Sequence, residues 1–176
     1  MINVQTLRLT WVKELIFTAA FVALSVLTPM IFHYFGGIGA GRMFLPMHFF
    51  VLTAGLILGW CAGLATGAFS VLSSYLISGM PAINVLPFIA IELSAYGLVA
   101  GLLKEKFNVW ISLFGALVLG RLAVLLAVFL FSNMNAINFV LSALRDGWRG
   151  IALQIIFAPV VVRMMESYFE HRQLSS

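Results

Sequence analysis

The stretch from Phe44 to Pro81 reads FLPMHFFVLTAGLILGWCAGLATGAFSVLSSYLISGMP and contains no Asp, Glu, Lys or Arg. Two apolar segments lie back to back in it, hinged at Gly59-Trp60. Continuous apolar chain of this length belongs in lipid, where the backbone must satisfy its own hydrogen bonds, and a helical hairpin does that. Ala54, Gly55, Gly59, Gly63 and Gly67 punctuate both halves. Small residues at such spacing let helix backbones approach closely. Pro46-Met47-His48 forms a polar lip at one end and Ser78-Gly79-Met80-Pro81 another.

The rest of the chain has the same character. Of its 176 residues 62% are hydrophobic and 9% charged, where a soluble domain is about a quarter charged. The fold expected is an all-α integral membrane protein, six transmembrane helices in one bundle and one domain over residues 1–176. Its single cysteine, Cys61, excludes an internal disulfide and a cysteine-based zinc cluster. The net charge of +4 is what basic residues flanking membrane spans produce, and is a weak sign of nucleic acid.

Span one is expected over residues 12–32, as a retained helix and not a cleaved signal. Ala19 and Ala23 form a small-xxx-small pair on it, for internal packing or for docking another membrane protein. Residues 33–45 read as a glycine-rich loop with Arg42 its one full charge, either a connector or a lid with an anion contact. Spans two and three follow over residues 46–58 and 62–76. A loop over 78–87 holds Asn84. Span four covers 88–103 and carries Glu92; span five covers 110–131 and carries Arg121. A polar connector over 132–148 contains Arg145 and Asp146, and span six covers 150–165 with Gln154 inside. The tail from Glu166 onward is expected to fray.

Six spans put both termini on one side with Arg8, Lys13, Lys104, Lys106, Arg163 and Arg172, against Arg42, Arg145 and Arg149 on the other. The positive-inside rule makes the termini cytoplasmic. The loops after spans one, three and five are then external, and a pocket between the spans opens outward. Glu92 and Arg121 are expensive in lipid, so they pair with each other or meet a ligand. His48 can bond a ligand or a backbone carbonyl. Tyr75 and Tyr96 read as packing.

Enzyme readings fail on inventory. There is no His-Glu-x-x-His helix, no phosphate-binding Gly-Lys-Ser/Thr loop, and the one aspartate, Asp146, lies in a connector.

An ordered set of short motifs carries a family resemblance. These are Leu45-Pro46-Met47-His48, Leu52-Thr53-Ala54-Gly55, Leu58-Gly59, Gly63, Gly67 and Ser78-Gly79-Met80-Pro81. Glu92-Leu93-x-x-Tyr96-Gly97-Leu98-x-x-Gly101-Leu102-Leu103 follows, then Gln154 and Pro159. Over nearly its whole length the chain resembles the S components of energy-coupling factor (ECF) transporters, the small membrane subunits that capture vitamins in prokaryotes. It looks most like the pantothenate-type branch.

The resemblance implies a plasma-membrane protein, not an enzyme. It implies capture of a small water-soluble vitamin from outside beneath a lid formed by the first external loop. Docking would follow through Ala19 and Ala23 onto a transmembrane T component coupled to two ATPase subunits. The S component would then topple in the bilayer. ATP would be used by those partners, with no cofactor or metal in this chain. The candidate ligand contacts are Arg42, His48, Asn84, Glu92, Arg121, Arg149 and Gln154. Pantothenate is the first expectation, its carboxylate paired with Arg42, Arg145 or Arg149. Other micronutrients (cobalamin or a precursor, folate, riboflavin, a thiamin precursor) are alternatives. So is a structural membrane subunit without a ligand, in which the polar groups would be dispersed and separately satisfied.

Overall fold

The computed structural model describes residues 10–174, without the side chains of residues 32, 33, 35–42 and 169–174. Six α-helices follow one another: α1 Trp11–Phe44, α2 Pro46–Leu58, α3 Trp60–Ser78, α4 Leu86–Lys104, α5 Val109–Phe131 and α6 Ala136–Leu174. No strand occurs among the described residues. Five of the helices are long and apolar enough to cross a membrane. The sixth, α2, has 13 residues and spans only about 20 Å at ~1.5 Å per residue.

That short helix is the centre of the bundle. Every residue from Val51 to Leu58 is buried, so α2 has no lipid face over that length. It packs against all five other helices. By contrast α5 buries one stripe, Ser112, Leu113, Ala116, Gly120, Val124 and Val128, and turns Phe114, Leu122, Leu126 and Phe129 outward. That three-four spacing is the mark of a helix at the rim of a membrane bundle.

The small residues set the depth of packing between α3 and α4. A Cβ on Gly63 would run into the backbone of Gly97, and one on Gly97 into that of Gly63. Gly67 lies in the same way against Leu93, and Gly101 against Trp60. This seam is the use of the glycines in the 44–81 stretch. The sharp joint at Gly59 has φ 101°, a conformation open to glycine and strained for other residues. It turns α2 into α3 as the sequence predicts.

Two expected loops are helical instead. Residues 33–44 continue α1. Each glycine there costs about 1 kcal/mol relative to alanine, but nothing in the segment blocks the helix before Pro46. The helix end is also packed: a Cβ on Gly150 of α6 would overlap Phe44. The chain turns at Leu45 alone, in the left-handed conformation with φ 47°. The expected connector 132–148 shrinks to a few residues, because Asn135 Oδ1 accepts the Asn138 N–H at 3.0 Å and caps α6 from Ala136. Ala136, Gly147, Gly150, Gln154, Ala158, Val162 and Glu166 then bury one continuous face of α6. The expected fraying does not begin at Glu166. Its carboxylate lies 3.2 Å from Lys104 Nζ at the end of α4, and both side chains are buried.

Candidate binding cavity

The joints α1–α2, α3–α4 and α5–α6 lie at one end of the bundle, and a cavity of about 260 Å³ opens among them. Leu45, His48, Val85, Ile89, Glu92, Arg121, Phe139, Ser142, Ala143 and Asp146 line it. Four helices, α2, α4, α5 and α6, and the joint residues Leu45 and Val85 contribute to this lining, so the cavity exists only in the assembled bundle.

Its polar floor is one connected group. Arg121 Nη1 on α5 lies 2.5 Å from Glu92 Oε1 on α4. The same Oε1 accepts the hydroxyl of Tyr96 at 3.0 Å, one turn along α4. The Tyr96 ring is itself 1% exposed. It stands 5.5 Å from the His48 ring and 6.0 Å from the Arg121 guanidinium carbon, centre to centre. Gly120 gives the ring its place, since a Cβ there would overlap it. So the glycine beside Arg121 admits the tyrosine that holds Glu92, and Glu92 holds Arg121.

Two buried polar atoms of this group have no hydrogen-bond partner: Arg121 Nε and His48 Nδ1. Buried donors and acceptors are nearly always satisfied in folded proteins, and an orphan asks for an explanation such as a ligand. Both orphans belong to residues that line the cavity.

Three of the seven expected ligand contacts therefore converge: His48, Glu92 and Arg121. Asn84, Arg149 and Gln154 do not join them. Asn84 is exposed in a separate surface groove with Ser132 and Asn133. Its place on the α3–α4 turn carries it past the rim. Arg149 is exposed and stacks on Trp148 at 5.0 Å, because α6 turns that face away from the bundle. Gln154 is buried, and its amide nitrogen donates a long hydrogen bond of 3.4 Å to the carbonyl of Leu45. It supports the left-handed joint beside the cavity from behind. The Arg42 side chain lies outside the described residues.

Sequence reasoning missed Tyr96 and Asp146. The four-residue spacing from Glu92 to Tyr96 places them on one helix face and was the available signal. Asp146 looked like a loop residue only because α6 was expected to begin later.

Ala19 and Ala23 lie outside this cavity. They are exposed and line an apolar groove between α1 and α3, with Val22, Val26, Phe69 and Ile77. They take no part in close packing of the kind seen between α3 and α4.

No curated protein and no solved structure matches the chain. A family model does, over residues 13–166 of the 176. The match takes in all of the cavity lining and the α1–α3 groove, and the chain belongs to the family of ECF transporter substrate-specific components.

Proposed function

We propose that the cavity at Glu92 and Arg121 is the site at which this ECF substrate-binding subunit captures a small water-soluble vitamin from outside the cell. One observation carries the reading: His48, Glu92 and Arg121, from three helices, meet at one cavity with two buried polar atoms left over. Dispersed, separately satisfied groups would have favoured a structural subunit. The cavity end is external by the positive-inside count, which leaves both termini cytoplasmic. A volume of about 260 Å³ lies just below the usual span of ligand clefts, ~300–1,000 Å³, and favours a small vitamin over cobalamin.

Pantothenate, to which the branch resemblance points, is the first ligand to test. The arginines expected to meet its carboxylate are not the support for it, since Arg145 and Arg149 are exposed on α6. The experiment is purification in detergent, mass spectrometry of small molecules carried with the protein, and calorimetric titration with pantothenate. Retained ligand that disappears in Arg121→Ala supports the site. No heat at micromolar protein and ligand removes pantothenate.

Delivery requires the T component and its ATPases, and the α1–α3 groove is the proposed docking face. Its exposed small residues, Ala19 and Ala23, leave room for a helix of another membrane protein. Ala19→Leu with Ala23→Leu should bind ligand normally and lose transport. Normal transport by that double variant would sink the docking assignment.

A further inference from the structure

We infer that the part of the ligand buried against the Glu92–Arg121 pair is uncharged and presents a carbonyl next to an N–H or O–H donor, as an amide or lactam does. The inference rests on the cavity being the substrate site and concerns which chemistry that site accepts.

The charge inventory of the lining points this way. Among the described residues it holds one guanidinium, Arg121, and two carboxylates, Glu92 and Asp146. Arg121 is already neutralised by Glu92 at 2.5 Å, and the two side chains are 11% and 5% exposed. A carboxylate pushed against this pair would lose its hydration without finding an uncompensated positive charge, and burying such a charge is strongly unfavourable. Asp146, exposed at the rim, adds negative charge on the way in.

The leftover hydrogen-bonding capacity fits a neutral group better. Arg121 Nε–H is a donor with no acceptor. A carbonyl oxygen supplies one without bringing a charge. His48 Nδ1, also unpartnered, belongs to an imidazole whose two tautomers let that nitrogen accept or donate. As an acceptor it takes the amide N–H adjacent to such a carbonyl. Val85, Ile89 and Phe139 supply apolar walls for a ring or alkyl body. A ligand that also carries a carboxylate would keep it toward the rim and water.

The test is calorimetric titration of ligand-depleted protein with nicotinamide and with nicotinate, which share a ring and differ in an amide against a carboxylate. Nicotinamide should bind at least about tenfold more tightly, the scale set by desolvating an uncompensated charge. Glu92→Gln frees the positive charge of Arg121, and should bring the ratio to about unity or invert it. Asp146→Asn, at an exposed position where folding is not at stake, should narrow the ratio by about twofold through the rim charge alone. Equal or tighter binding of nicotinate by the wild type overturns the inference. So does a ratio that neither variant moves, or the absence of heat with both probes. Loss of co-purified ligand in Arg121→Ala alongside any of these would sustain the cavity as the substrate site and reject only its chemistry.

Discussion

Two buried ion pairs occupy opposite ends of the bundle, and they are built alike in charge but not in surroundings. Glu92–Arg121 links α4 to α5 at the floor of the cavity. Lys104–Glu166 links the far end of α4 to α6. At the first, Glu92 is shared with Tyr96, His48 stands beside the same ring, and two polar atoms remain without partners. At the second, the ammonium lies within ion-pair range of Glu166, whose Oε1 also has no hydrogen-bond partner, but neither residue lines one of the cavities described above. Charge pairing inside a membrane is therefore not itself a sign of a binding site. The sign is the unspent hydrogen-bonding capacity next to open volume. One pair receives a ligand in this account, and the other fastens a helix.

The sharpest way to break that contrast is to remove one cation at each end. Arg121→Ala leaves the Glu92 carboxylate buried without a counter-charge, and Lys104→Ala removes the ammonium that faces Glu166; each should cost ~3–5 kcal/mol of stability by thermal melting in detergent. Only Arg121→Ala should also abolish ligand binding, by more than about a hundredfold, since it deletes a contact and the floor together. Exchanging partners sharpens the distinction. Lys104→Glu with Glu166→Lys should recover much of the lost stability and keep ligand affinity within about twofold. Glu92→Arg with Arg121→Glu should recover some stability and no binding, because a ligand reads the positions of the charges. A calorimetric titration of both double variants separates these outcomes.

Smaller effects probe the support of the cavity pair. Tyr96→Phe removes the hydroxyl that bonds Glu92 and should cost ~1–2 kcal/mol. Ligand affinity should fall about fivefold with it, because the floor loses its fixed geometry. The smallest change is expected at Asn84→Ala, which is exposed outside the cavity and should shift affinity by less than about twofold. A large loss there would extend the site across the α3–α4 turn.

The residues that were legible in advance are those whose physics is local or forbidden. Glu92 and Arg121 announce themselves because charge in lipid demands a partner. Gly59 announces a turn because two apolar runs meet at it. Pro46 fixes the start of α2 to the residue. Most of what escaped depended on tertiary packing. The glycines of residues 33–44 suggest a loop by propensity, yet nothing blocks the helix and Gly150 of α6 receives its end. Asn135 looked like connector chemistry, and its side chain is a helix cap. Gln154 looked like a ligand contact because it is polar at depth, and its partner is the carbonyl of Leu45, 109 residues earlier in the chain. No sequence spacing encodes that pairing. Tyr96 was read correctly but incompletely. It is packed, as expected, and its one polar atom is what ties the packing to the site.

The direct test of the central claim is ligand content per mole of monodisperse protein, measured by mass spectrometry for the wild type, Arg121→Ala and Lys104→Ala purified side by side. Lys104→Ala should carry ligand as the wild type does, despite its lower melting temperature, and Arg121→Ala should carry none. Equal retention in both variants, or equal loss from both, would contradict that claim.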